Sequence, residues 1–201
     1  MKKMLFAALP VMAIASLVFK PGEPLPIGSS LPKAEVKMKD ISGAMVSFKD
    51  VTKKNGLLVM FSCNTCPVVK KYQGRTLEVA KYAMGNNIGV ILLNSNEATR
   101  ADGDSYDDMK QYAKQQNYYF NYVIDQNSVM ADAFGANRTP EVYLFNKDGK
   151  LVYHGGIDDN AASAEAVTHK HAIVAIDEMV AGKDVTMKVT RSVGCGIKRR
   201  S

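Results

Sequence analysis

Two uninterrupted apolar runs, Leu57–Phe61 and Gly89–Leu93, frame this chain, with a long stretch of helical periodicity between them. Runs of that length bounded by turn residues predict strands buried on both faces. Residues 64–84 place Val68, Val69, Tyr72, Val79, Ala80 and Ala83 on one helical face, with Gly74 as a candidate kink and Gly85-Asn86-Asn87 as the stop. A polar loop over 94–103 leads into a helix from Ser105 to about Gln116, with Asp107 and Asp108 in its first turn. Tyr122–Ile124 predicts a third strand and Ser128–Phe134 a short helix closed by Gly135. Glu141–Phe145 and Leu151–Tyr153, joined by Lys147-Asp148-Gly149-Lys150, predict a hairpin. A helix over 164–180 and a short alternating segment over 185–189 complete the pattern.

Upstream, residues 34–38 and 44–48 flank Ser42-Gly43 and predict an N-terminal β-hairpin. The order of elements predicts one α/β domain over 33–201, with a central mixed β-sheet flanked by helices. Residues 20–32 hold four prolines and two glycines and predict an extended leading arm. Residues 1–19 combine Lys2-Lys3, an apolar run from Met4 to Phe19 and Ala13-Ile14-Ala15, the anatomy of a bacterial secretory signal. An uncleaved membrane anchor is the alternative, although the run falls short of the about 20 residues needed to span a bilayer. Membrane contact is expected only in that case, and the protein is expected in the periplasm or otherwise exported. The net charge is +6, with part of the surplus in Lys198-Arg199-Arg200. No basic stripe interleaved with aromatics appears, so nucleic-acid binding is not expected.

The chemistry concentrates at Cys63-Asn64-Thr65-Cys66-Pro67, between the first buried strand and its helix. A Cys-x-x-Cys at such a junction predicts a reversible disulfide, because a helix start stabilises a thiolate through free N–H groups and its dipole. On this reading Cys63 is the exposed attacking thiol and Cys66 the shielded resolving one. Pro67 is tolerated in the first helical turn, and Asn64 and Thr65 are placed to donate hydrogen bonds to the thiolate. Zinc coordination would need a second cysteine pair, and covalent haem a histidine where Pro67 stands. No cofactor is expected. Thr139-Pro140, just before a strand, predicts a cis proline facing the disulfide, with the Thr139 backbone holding an extended substrate segment as an added strand.

These stretches resemble the thioredoxin-like redoxins of the AhpC/TSA type, in particular peroxiredoxin-like proteins with a Cys-Asn-x-Cys-Pro motif. The likeness rests on Met60–Lys70, Asn94-Ser95-Asn96, Arg138–Asp159 and Gly194-Cys195-Gly196-Ile197-Lys198, and spans about residues 27–198. It implies a thioredoxin-like fold and thiol redox chemistry. Thr65 stands where the group commonly has histidine, and Arg138 where some members have cysteine. The proline and threonine that precede a peroxidatic cysteine are absent before Cys66, where Val59 and Cys63 stand instead. The carboxylate that thioredoxins keep in the preceding strand is also missing from Leu57–Phe61.

Cys195 is a third thiol: an accessory resolving or bridging cysteine, or a quiet one on a tail. His154, His169 and His171 raise a metal reading. The last two lie two residues apart, which on a helix turns them to different sides. Copper-carrying relatives use Cys-x-x-x-Cys, one residue longer than the spacing here. The tyrosines at 106, 112, 118, 119 and 122 read as packing, and Asp102, Asp104, Asp107 and Asp108 as a solvated loop and helix cap. The expectation is therefore an exported thiol-disulfide oxidoreductase acting on protein thiols and disulfides with an unidentified redox partner. Thiol peroxidase activity and a copper-binding thioredoxin-fold chaperone are the alternatives.

Overall fold

The computed structural model describes residues 22–200, so the segment expected to act as signal or anchor lies outside the described residues. A short hairpin comes first, β1 (Met38–Lys39) and β2 (Met45–Val46), followed by helix α1 (Phe48–Val51). The body then runs β3 (Leu57–Ser62), α2 (Pro67–Gly85), β4 (Gly89–Asn94), α3 (Tyr106–Gln115), β5 (Asn121–Ile124), α4 (Val129–Phe134), β6 (Arg138–Thr139), β7 (Glu141–Phe145), β8 (Leu151–Gly155), α5 (His171–Val180) and β9 (Cys195–Gly196). Five strands form the central sheet in the order β5-β4-β3-β7-β8. β3 is parallel to β4 and antiparallel to β7, so the sheet is mixed, as expected.

Side chains alternate across β3, and each set meets its own helices. Leu58 and Met60 pack with Tyr72, Val79 and Ala83 of α2 and Ala175 and Ile176 of α5. Leu57, Val59 and Phe61 pack with Phe48 of α1 and Met130, Ala131 and Phe134 of α4. A strand covered on both faces needs no polar residue, which explains the unbroken apolar run.

Several boundaries differ from the sequence expectation for local reasons. The second hairpin arm ends at Val46, because Ser47 and Asp50 form a capping box that starts α1. α2 begins at Pro67 rather than near Asn64 and passes through Gly74 without a break. α5 begins only at His171, because Asn160 and Asp159 draw the preceding amides away from helical pairing. The leading arm is no free linker from Gly22 onward: Leu25 is buried and its N–H bonds the Phe134 carbonyl, while Leu31 N–H bonds Gly149. Gly135 closes α4 in the left-handed region, where a Cβ would overlap the Glu23 carbonyl. Val185–Val189 forms no strand, only a bridge from Val189 to His154. Among the described residues no helix is long and apolar enough to cross a membrane.

Candidate active site

The register of the sheet assembles the site at the ends of three strands. Ser62 lies opposite Asn94, and Phe61 opposite Glu141. Cys63 therefore emerges between the loop after β4 and the Thr139-Pro140 turn before β7. The Thr139-Pro140 bond is cis, as the sequence position suggested. Thr139 Oγ1 lies 3.3 Å from Cys63 Sγ, and its carbonyl oxygen 3.5 Å from Cys66 Sγ.

The helix start belongs to the other cysteine than the sequence assigned, and both are buried, Cys66 at 3% exposure. Cys66, not Cys63, is the N-cap of α2, with Pro67 at the first helical position. The free N–H groups and the positive end of the helix therefore act on Cys66. Cys63 is 0% exposed, at the end of the strand rather than at the start of the helix. Burial pushes its thiol pKa up; the hydrogen bond with Thr139 opposes that rise, and the nearby Asp104 charge adds to it.

Cys66 is bonded to Cys195 across a sequence separation of 129, with 6.1 Å between Cα atoms, and Cys63 is the free thiol. A Cys63–Cys66 bridge, expected from spacing alone, is not the pairing in this structure. Cys195 reaches the site because β9 pairs antiparallel with β6, setting Cys195 opposite Thr139 and Gly196 opposite Arg138. The edge at Thr139 expected to receive a substrate strand is thus filled by the chain's own tail. Gly194 is required there, since a Cβ would overlap the Thr139 carbonyl. Beyond the bridge, Ile197 N–H bonds the Asn137 carbonyl, Lys198 N–H bonds Asn96 Oδ1 at 2.9 Å, and Arg199 pairs with Asp132.

Asp104 is the site residue that sequence reasoning missed. It is fully buried under the motif rather than part of a solvated loop. Its carboxylate accepts from Asn64 N–H at 2.9 Å, Thr65 Oγ1 at 3.0 Å and Asn94 Nδ2 at 2.7 Å, and also from Asn96 and Thr99. Asn64 Nδ2 donates to the Gly103 carbonyl, while Tyr122 OH donates to Asn64 Oδ1. The side chains of Asn64 and Thr65 therefore brace the loop and point their donors away from Cys63, contrary to expectation. The one sequence signal for Asp104 is its place directly before Ser105, which caps α3 with Asp108.

Glu141 fixes the other wall. Its buried carboxylate accepts from the Asn137 and Arg138 N–H groups and from Ser192 in the tail, and burial raises its pKa. His154 stacks on Tyr143 with ring centroids 5.5 Å apart, and burial lowers its pKa. His169 and His171 do not lie on opposite sides of a helix. α5 starts at His171, and their Nδ1 atoms approach to 2.9 Å. Among the described residues no three His, Cys, Asp or Glu side chains gather in a metal-binding arrangement. Tyr112 and Tyr122 are buried packing residues, as expected, whereas Tyr119 is 52% exposed.

The family model described as AhpC/TSA family matches residues 27–154. An uncharacterized conserved protein from Geobacillus kaustophilus is 32% identical, with a TM-score of 0.80 over 87% of this chain and 93% of that chain. A hypothetical protein from Sinorhizobium meliloti is 28% identical, with a TM-score of 0.80 over 89% of this chain and 97% of that one. The thioredoxin domain of a thiol-disulfide oxidoreductase from Bacteroides vulgatus shares the fold at 20% identity, with a TM-score of 0.54 over 65% of this chain and 88% of that chain. No curated protein matches the sequence.

Proposed function

The chain belongs to the AhpC/TSA family, and from that premise we propose that it is an exported thiol-disulfide oxidoreductase acting on protein substrates, with Cys66 as its nucleophile. The observation that carries this reading is the bridge from the helix N-cap cysteine to the tail cysteine, next to a cis proline. Cys66 thiolate attacks a substrate disulfide, forming a mixed disulfide and releasing one substrate thiolate. Cys195 thiolate then attacks Cys66 Sγ, releasing the second substrate thiol and leaving Cys66–Cys195 oxidised. A dithiol donor must return two electrons for another turn; run backward, the same steps oxidise a substrate dithiol. Cys195 is partly exposed, so an incoming donor thiolate attacks there and expels Cys66, the better leaving group at the helix start. The apolar segment after Lys2-Lys3 supports export to a compartment where such bridges persist.

The test compares wild type, Cys66→Ser, Cys195→Ser and Cys63→Ser of the full chain in reduction of a protein disulfide and in peroxide consumption. The reading requires Cys66→Ser to lose disulfide reduction; wild-type rates in that variant would sink it. A second reading, thiol peroxidase, draws on the same bridge, because a helix-cap thiol resolved by a distant tail cysteine also suits attack on a peroxide. Peroxide turnover that needs Cys66 and outpaces disulfide exchange would promote it.

A further inference from the structure

The tail fills the edge that a substrate strand would use, and a third thiol is sealed beneath it. Cys63 and Cys66 pack together with Val69, and Val68 and Cys195 close over them. Thr139 touches the whole arrangement. Its hydroxyl lies 3.3 Å from Cys63 Sγ, its carbonyl oxygen lies 3.5 Å from Cys66 Sγ, and it stands opposite Cys195 in the β6–β9 pairing. With no exposed surface, Cys63 cannot meet a protein substrate or a donor directly. Cys66 belongs to the same buried cluster, and both sulfurs lie against Thr139. A buried thiol in an apolar wall is ordinarily inert, but this one shares its cluster with the Cys66–Cys195 disulfide.

We propose that the Gly194–Gly196 strand is an internal stand-in for the substrate and that Cys63 ejects it. Cys63 thiolate attacks Cys66 Sγ, the Cys63–Cys66 bond forms, and the Cys66–Cys195 bond breaks. Cys195 leaves as a thiolate and takes up the proton that Cys63 gave to solvent or buffer. Two thiol-disulfide sulfurs change partners and no net electrons move. Once the bridge is broken, only non-covalent contacts hold the tail: the two-residue pairing with β6, Arg138 on the Gly194 carbonyl, Ser192 on Glu141, and the Ile197, Lys198 and Arg199 contacts. A competing strand can then displace the short β9 pairing and take the edge at Thr139. The substrate class follows from what the tail presents there. It is an extended segment whose cysteine is preceded by a residue without a side chain, because any Cβ at Gly194 overlaps the Thr139 carbonyl. An apolar residue two positions after the cysteine would take the place of Ile197, which is buried. This deepens the proposed function and rests on Cys66 being its nucleophile.

The first arm uses the oxidised full chain, incubated without reductant at mildly alkaline pH, acid-quenched, unfolded and alkylated, with peptide mapping of the labelled cysteine. Wild type is expected to carry label on both Cys63 and Cys195. The Cys195 label should be at least about tenfold above that in Cys63→Ser, where the bridge has no thiol to exchange with. Cys63→Ala serves as the control for a serine-specific folding defect, and the wild-type distribution is readable without either variant. Label confined to Cys63 in wild type overturns the ejection step.

In the second arm the full chain with Cys63→Ser and Cys195→Ser keeps Cys66 alone. It is offered a peptide of residues 192–200 activated as a mixed disulfide with a small thiol. Capture is expected at least about tenfold faster than for the same peptide carrying Gly194→Val. Equal rates overturn the stand-in. A wild type that reduces protein disulfides while failing both arms refutes this inference and leaves the oxidoreductase reading intact. Internal exchange with no reduction of any protein disulfide does the reverse.

Discussion

Thr139 meets Cys63 through its side chain and Cys195 through its backbone register, 3.3 Å from the first sulfur and directly opposite the second residue in the β6–β9 pair. One residue therefore tunes the sealed thiol and seats the tail. The two roles are separable, because a change of side chain leaves the backbone edge in place.

Thr139→Val keeps the shape and removes the hydroxyl. Burial already raises the Cys63 pKa and the hydrogen bond opposes it, so its loss moves the thiol titration to higher pH. Alkylation of Cys63 in the reduced protein near neutral pH should slow about threefold to tenfold. An unchanged pH profile would show that the contact carries no energy.

Asp104→Asn tests the carboxylate that braces the motif. Five donors converge on it, and an amide cannot accept them all. Urea unfolding should show a loss of about 2 to 3 kcal/mol. Removing the charge also lowers the Cys63 pKa, so alkylation of that thiol should become faster even as the fold weakens. Opposite signs in the two assays distinguish this from general loosening.

For a thiol held above its ordinary pKa, the thiolate fraction at neutral pH is small and grows with every step upward. Cys63-dependent exchange should therefore accelerate about tenfold per pH unit from neutral, with no plateau in the ordinary thiol range. A stopped-quench series across pH checks it; a plateau near neutrality would contradict the burial argument.

Gly194→Ala places a methyl on the Thr139 carbonyl. The tail can then no longer lie flat on β6, and Cys195 loses its high local concentration at Cys66. In a glutathione buffer, thiol trapping should show the Cys66–Cys195 bridge about tenfold easier to reduce than in wild type.

Closing a loop between residues 66 and 195 restricts the unfolded chain strongly. In the chain-entropy view, oxidised wild type should exceed its reduced form by about 3 to 5 kcal/mol in urea unfolding. Coincident midpoints would mean the bridge is absent or offset elsewhere.

The parts of the molecule written in local pattern were legible. Leu57–Phe61, the Lys147–Lys150 hairpin and the strand-Cys-x-x-Cys-Pro-helix junction each carry their signal within a few residues. Thr139-Pro140 was legible through its place in the order of elements. The tail was not, because β9 is two residues long and its partner lies far away in sequence. No periodicity marks so short a strand, and Cys195 could not be paired from spacing. Asp104 was misread because an acid in a polar stretch is ordinarily solvated; only the folded loop brings five donors to it. Cys63 was misplaced by a few residues of helix start, enough to move the helix field from one sulfur to the other.

The end of α4 and the loop after it hold both ends of the described chain. Leu25 bonds Phe134, Asn137 Nδ2 bonds the Gly22 carbonyl, and from the other end Ile197 bonds Asn137 while Arg199 reaches Asp132 and the Ala136 carbonyl. The two ends of the described chain thus converge on one short segment a few residues from Thr139. What is attached to either end of the chain therefore bears on the same wall of the site, the one whose neighbouring residue Thr139 faces Cys195.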